Sequence, residues 1–392
     1  MLFQSLDNKQ ECYKIYCEGQ FFDDYKSDSL SHTWAPSSHV SGEHVEYAQI
    51  WCNGKSLTEV CPEHLERRFA ALNEKAKMYI RTFHNAKINL QDICFYDLVP
   101  EKFLLDFCEV KSEITRHVFE NYEKPKNYEF LKNLLLFLKK IEQRKINLDL
   151  NSIDFDNLDI KSGVQKLEDC APTVIYNPWK TVTGRLTTEK NSFPILTLNK
   201  NLRGCIKPQN DAFVELDFNA AELRVLLGLL GEKQPDEDIH AWLGKNVFND
   251  KFSREEVKKK VFAWLYNPNA KNKKLNEFLN RDKLYERYFH NDCVLTPFYR
   301  IIPVEKEKAV NYLIQSTSSD MLLTSAMKVD KILQNKKSFV SFCIHDSIVI
   351  DLSFEDRDMI ESLKNEFSKT AFGDLKTNLS LGKDFGSMTK IS

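Results

Sequence analysis

The stretch Val214-Glu215-Leu216-Asp217-Phe218-Asn219-Ala220-Ala221-Glu222-Leu223-Arg224 decides how this chain is read. Residues 214–217 have strand character, and the turn after them opens a helix near Ala220. Asp217 therefore stands at a strand's end, with Glu222 five residues on in the helix's first turns. Such a pair suits a divalent cation beside a phosphate, since Mg²⁺ takes a few carboxylates and completes its shell with phosphate oxygens and water. Taken alone, the same residues also fit a helix that places acids in its first turn to complement the macrodipole.

Downstream, residues 226–231 close the helix on glycine, Asp238-Ile239-His240 follows, and Arg254, Lys258, Phe262 and Tyr266 recur at steps of four. Each step drifts by about 40° on a 3.6-residue helix, so the four form one slowly winding stripe. Two cations followed by two aromatics suit a nucleoside triphosphate lying along the helix, phosphates at the basic end and base against the rings. A solvated basic face that becomes core explains any one position, but less well all four. Pro268 predicts the helix end.

Residues 275–288 read as helix, 294–304 as a hairpin turning at Tyr299-Arg300, and Asn311 to Asp320 as the approach to a helix through Met327 and Ile332. Residues 338–352 form an apolar, β-rich hairpin interrupted by His345-Asp346-Ser347. A carboxylate buried there without a partner is costly, so Asp346 is either paired or holding a metal, the second being favoured.

Upstream, Thr181-Val182-Thr183-Gly184-Arg185-Leu186 offers a tight backbone path at Gly184 and a planar fork at Arg185. Residues 99–147 carry helical periodicity broken at 121–127 and predict an antiparallel helical hairpin. Residues 148–159 read as a linker. Before residue 90 the chain alternates short polar and aromatic segments, with a strand pair expected at 12–22, a loop at 34–42 and a helix at 63–83. No Asp-x-Glu pair of a proofreading exonuclease occurs there.

With 392 residues, 42% hydrophobic and 29% charged, the chain reads as a soluble globular protein of two or three domains. No apolar run has the length of a membrane span, and a start carrying Asp7, Lys9 and Glu11 does not read as a signal peptide. Ten scattered cysteines predict reduced thiols and a cytoplasmic setting. The spacing of His39, His44, Cys52, Cys61 and His64 matches no strong zinc template. The net charge of −2 hides an asymmetry. Residues 1–60 hold 4 Lys and Arg against 9 Asp and Glu, whereas 251–300 hold 12 against 6. Local basic character is what a cleft for polyanions requires.

The ordered landmarks Thr183-Gly184-Arg185-Leu186, Asp217-Phe218-x3-Glu222-Leu223-Arg224, Asp238-Ile239-His240, Arg254-x3-Lys258-x3-Phe262-x3-Tyr266, Asn311-x3-Gln315 and His345-Asp346 resemble the family A DNA polymerases, the bacterial polymerase I group and its phage relatives. The resemblance spans roughly the last 210 residues and fades before about residue 95. It implies an α+β right-hand fold: a palm built on an antiparallel sheet, helical fingers and a helical thumb. The expected organisation is an N-terminal accessory region at 1–95, a thumb-like helical hairpin at 96–165, palm at 166–235 and 301–392, and fingers at 236–300.

The resemblance further implies that Asp217 and Asp346 hold two Mg²⁺ ions, with Mn²⁺ able to substitute. It places Arg254, Lys258 and His240 on the triphosphate, with Lys258 donating a proton to pyrophosphate. Phe262 packs on sugar and base, Tyr266 stacks near the template base, and Glu222 closes off the space of a ribose 2′-hydroxyl. Arg185, Gln315, Asn311 and His345 contact primer–template DNA. The implied activity is template-directed addition of dNTPs without intrinsic proofreading. Apart from the resemblance, the missing exonuclease motif and the acidic balance of residues 1–60 lead to the expectation that a separate exonuclease, clamp or processivity factor docks on residues 1–95, with no membrane involved. Departures from the family pattern are Ser347 where glutamate is usual, Asn267 for glycine, Phe218 for tyrosine, the run Gln315-Ser316-Thr317-Ser318-Ser319-Asp320, Lys200 in place of an expected arginine, and a short 266–315 segment. They suggest a divergent phage or mobile-element enzyme. A single-subunit RNA polymerase, disfavoured by Glu222, and a decayed DNA-binding accessory protein are the alternatives.

Overall fold

Two units divide the chain, Met1–Gln143 and Arg144–Ser392, and each is described by itself. The computed structural model describes all residues except 8–12, 23–28, 38–41, 43, 89, 91–92, 94, 153–157, 191, 268–269, 271 and 392, so the expectations at Cys12, His39 and Pro268 lie outside the described residues.

In the first unit, β1 (Gln4–Asp7), β2 (Tyr13–Cys17) and β3 (Gln20–Phe22) form an antiparallel meander. The strand pair expected there thus gains a third member. Helices α1 (Ala48–Trp51), α2 (Glu63–Asn85), α3 (Glu101–Asn121) and α4 (Tyr128–Glu142) follow. One apolar cluster runs from Leu6 through Trp34, Ala48 and Phe69 to Phe103 and Val118, so residues 1–95 and α3 share a core. The two helices expected to pair as a hairpin differ from that expectation. Both pack on α1, and α2 covers α3. Four residues are too few to show a helical period, which is why α1 was invisible in the sequence.

The second unit is organised on a five-stranded antiparallel sheet. Its members are β4 (Ala212–Phe218), β5 (Phe339–Ile344), β6 (Ser347–Leu352), β7 (Thr377–Gly382) and β8 (Thr389–Lys390), in spatial order β5-β6-β4-β7-β8. Strand β4 lies at the centre. The period of two sends Val214, Leu216 and Phe218 to one face and Phe213, Glu215 and Asp217 to the other. On the first face Phe218 stacks on Phe367 at 4.3 Å, in the helix Ile360–Ser368. On the second, Phe213 meets Phe342 edge-on at 6.0 Å.

Around the sheet stand α5 (Ala221–Leu230), α6 (Ile239–Phe248), α7 (Arg254–Tyr266) and the long α8 (Lys306–Ile332), which packs on α5 and β5. Helix α8 takes in all of Asn311 to Asp320, so it starts earlier than the sequence suggested. Among the described residues, no helix is long and apolar enough to cross a membrane.

Candidate active site

Strand β4 delivers Asp217 opposite Ser347 on β6 and Asn378 on β7. The next turn contains Ala220 at φ +53°, a conformation that costs an alanine energy and is kept where the surroundings over-determine it. Asn378 Nδ2 donates to Asp217 Oδ2 at 3.0 Å, and Lys390 Nζ donates to Asn378 Oδ1 at 2.7 Å. Burial lifts the Asp217 carboxyl to about 6. The Asn378 hydrogen bond opposes that rise, and the Glu215 and Asp346 charges add to it.

Asp346 occupies the two-residue turn between β5 and β6, with His345 at φ +49°. Its side chain is exposed at the turn, contrary to the buried position expected. The chain packed around it still disfavours its ionised form and raises its pKa, against the pull of Arg185 and His345. No hydrogen bond or ion pair to its carboxylate is found among the described residues, and its exposure leaves the carboxylate open to water or to a cation.

A cavity of about 700 Å³ opens beside this turn, and Arg185, Glu222, Phe262, Tyr266, His345 and Asp346 all line it. Glu222, 8% exposed, uses both carboxylate oxygens: Arg185 Nη2 donates to Oε1 and the Tyr266 hydroxyl to Oε2. Burial and the adjacent Glu222 charge raise the Tyr266 pKa. Phe262 and Tyr266 stack nearly parallel at 5.8 Å, and Lys258 Nζ lies 5.9 Å from the Phe262 ring centre.

Helix α7 starts at Arg254 because Ser253 and Glu256 form a capping box. Val257, Val261, Trp264 and Leu265 turn inward, and their spacing leaves the 254-258-262-266 stripe on the outer face. Arg254 does not stand free: it donates from Nη2 to Asp238 Oδ2 at 2.9 Å and from Nε to Oδ1 at 3.1 Å. Asp238 also accepts from the backbone of His240 and Ala241 and so caps α6. Burial pushes Asp238 up, but Arg254 and these helix amides outweigh it and hold the carboxyl at about 2.

His240 is 3% exposed, its Nδ1 has no partner, and its ring lies 5.9 Å from that of Phe262. Burial lowers its pKa, with Arg254 and Lys258 acting in the same direction. Arg224, fully buried, donates to the carbonyls of Asn219, Pro235 and Glu237, which ties α5 to the segment leading into Asp238.

Gln315 Nε2 donates to Asn311 Oδ1 at 2.8 Å on α8, and neither residue lines the cavity. The sequence reading missed Asn378, Lys390 and Glu215, whose side chains surround Asp217. Only Glu215 carried a signal, since it shares a strand face with Asp217 two residues away.

Among the described residues, no group of three or more His, Cys, Asp or Glu side chains is placed to hold a metal ion. The pair Asp217 and Asp346 is nevertheless a hard-oxygen donor set. Its raised pKa values and mutual repulsion would be relieved by a divalent cation, so a Mg²⁺-type ion completed by phosphate and water fits.

No family model matches the sequence, and no curated protein matches it. Among solved structures, the chain is similar to the POL domain of Pol1 from M. smegmatis, determined in complex with DNA primer-template and dNTP. The TM-score is 0.57 at 12% identity, over 73% of this chain and 76% of that one. The chain has the fold of a polymerase domain, mixed in helix and strand.

Proposed function

We propose that this chain is a template-directed DNA polymerase of the family A type, adding dNTPs to a primer 3′ end without proofreading of its own. The observation that carries the reading is the cavity in which Arg185, Glu222, Phe262, Tyr266 and Asp346 converge beside Asp217. On this reading the five-stranded sheet is the palm, α7 belongs to the fingers, and the helices at 101–142 belong to the thumb.

Bound at Asp217 and Asp346, Mg²⁺ supplies positive charge that acidifies the primer 3′-hydroxyl and neutralises the triphosphate. The chain's own groups do the rest. Lys258 and His240 hold phosphate oxygens, His240 through its unpartnered Nδ1, and Lys258 protonates the leaving pyrophosphate. Arg254 reaches the phosphates once it exchanges Asp238 for them. Glu222, locked by Arg185 and Tyr266, fills the space of a 2′-hydroxyl and selects deoxynucleotides. Phe262 and Tyr266 offer stacked ring faces to the base. Arg185, His345, Asn311 and Gln315 contact primer–template DNA. Residues 1–95, acidic over 1–60, dock a separate exonuclease, clamp or processivity factor; the docking idea is withdrawn if charge reversal at Glu18 and Glu59 leaves such binding unchanged.

The test is extension of a labelled primer by the wild type and by Asp346→Ala, with dNTPs and with rNTPs. Mg²⁺-dependent dNTP addition lost in the variant supports the proposal. Preference for rNTPs points to an RNA polymerase, and absence of both extension and DNA binding sinks it.

A further inference from the structure

Asp320 lies on α8 with no exposed surface, and Arg300 is bound to it in a two-pronged pair. Arg300 Nε donates to Oδ2 at 2.7 Å and Nη2 to Oδ1 at 2.9 Å, with the arginine side chain only 11% exposed. The guanidinium faces Gly184, which has φ +73°. A Cβ built there would lie 2.5 Å from Arg300 Cζ, so glycine is required both by conformation and by this close approach. From the adjacent residue on α8, Ser319 Oγ donates to the Gly184 carbonyl at 3.2 Å. The turn is closed by Gly184 N donating to Thr181 O at 3.1 Å and Thr181 Oγ1 donating to Arg185 O at 2.8 Å. Helix α8 therefore grips one turn at two successive positions, and the residue leaving that turn is Arg185, which bonds Glu222 and acts electrostatically on Asp346.

A buried ion pair is poor evidence of net stabilisation, because desolvation offsets the Coulomb attraction. Its planar, bidentate geometry is good evidence of fixed position. We infer that Arg300 and Asp320 are positioning residues: their pair is the seat on which the turn at Gly184 rests, and it aims Arg185 at Glu222 and at the primer–template beside Asp346. This deepens the polymerase reading and rests on it, since the consequence is sequence-independent DNA affinity and dNTP binding exerted through Arg185. Neither Arg300 nor Asp320 lines the cavity, so neither touches substrate there.

The experiment is a double-mutant cycle of Arg300→Lys, which keeps the charge and loses the fork, with Arg185→Ala. The readouts are primer–template Kd, dNTP KM and kcat. Arg300→Lys alone should weaken Kd and raise KM by about tenfold, with little change in kcat. In the Arg185→Ala background the same substitution should add less than about twofold. Equal penalties in both backgrounds overturn the inference. Ser319→Ala, which deletes the hydroxyl contact to Gly184 at a residue that itself lines the cavity, covers the case in which Arg300→Lys fails to fold. It should give a smaller effect on Kd that also vanishes with Arg185→Ala, and an additive effect counts against us. If the wild type neither binds nor extends primer–template, the polymerase reading fails separately. Arginine Nε–H NMR then decides the positioning claim: the Arg185 signal should shift or broaden in Ser319→Ala and Arg300→Lys, and an unchanged signal refutes it.

Discussion

Replacing Asp217 with asparagine should stabilise the metal-free protein at neutral pH while removing one carboxylate of the proposed metal site. Burial raises the Asp217 carboxyl from its ordinary 3.8 to about 6. Between roughly pH 4 and 6 the native protein therefore holds a proton that the unfolded chain has released. Stability contributed by that proton is complete below pH 4, falls as pH rises through the window, and is gone above about 6. The displacement is about two pH units at ~1.4 kcal/mol each, so ionised Asp217 costs the apo fold about 2–3 kcal/mol. Asparagine avoids that cost and can still accept from Asn378 Nδ2. Urea denaturation in EDTA, followed by the fluorescence of the five tryptophans, is the assay. The variant should match the wild type near pH 4 and exceed it by about 2–3 kcal/mol at pH 8. Millimolar Mg²⁺ should stabilise the wild type and not the variant. A stability difference that does not grow with pH would falsify the argument, because it would mean that Asp217 is not held against its charge in the fold.

Three further outcomes follow from the geometry. Glu222→Ala frees both Arg185 and Tyr266 and opens the space beside them, so the dNTP-to-rNTP ratio of kcat/KM should fall by roughly 10–100-fold; an unchanged ratio removes Glu222 from sugar selection. His240, whose pKa burial lowers below 6.5, should gain a proton on binding a triphosphate. Affinity for dNTP should thus weaken as pH rises from the free to the bound pKa, a dependence measured by KM against pH and absent in His240→Gln. Arg224→Met leaves the carbonyls of Asn219, Pro235 and Glu237 without their buried donor, and denaturant midpoints should show a loss of roughly 3–5 kcal/mol.

The elements that the sequence made legible are those with a local period or a chemical interruption. Strand β4 and the start of α5 at Ala221 were visible because apolar alternation stops at Asp217 and a helical pattern begins. The stripe on α7 was visible because its outer positions repeat at four residues over a buried face. The hairpin at 338–352 stood out because three polar residues, His345-Asp346-Ser347, interrupt an apolar run. What remained hidden depends on contacts far apart in the chain. Asn378 is 161 residues from its partner Asp217, and its neighbour Lys390 sits on a strand of two residues. Arg300 and Asp320 are unremarkable in sequence, because their meaning lies in a buried pair and a close approach to Gly184. The packing of α3 and α4 was missed for a similar reason: amphipathic periodicity gives each helix an apolar face without saying which element covers it.

Ser347 shows how such non-local geometry changes the reading of a departure from a family pattern. In sequence it is a missing carboxylate beside Asp346. In the structure its hydroxyl donates to Glu215 Oε1 at 2.8 Å, and Glu215 projects from the same face of β4 as Asp217. Ser347 stands directly across from Asp217 in the ladder, so the serine links the two strands at the level of the site. The charge of Glu215 is one of the influences that raise the Asp217 carboxyl. A third acid is thus present next to Asp217, carried on the central strand instead of on the hairpin. Local negative potential depends on where charges sit, and not on which strand supplies them. On the polymerase reading proposed above, the serine at 347 therefore leaves negative potential beside Asp217 in place.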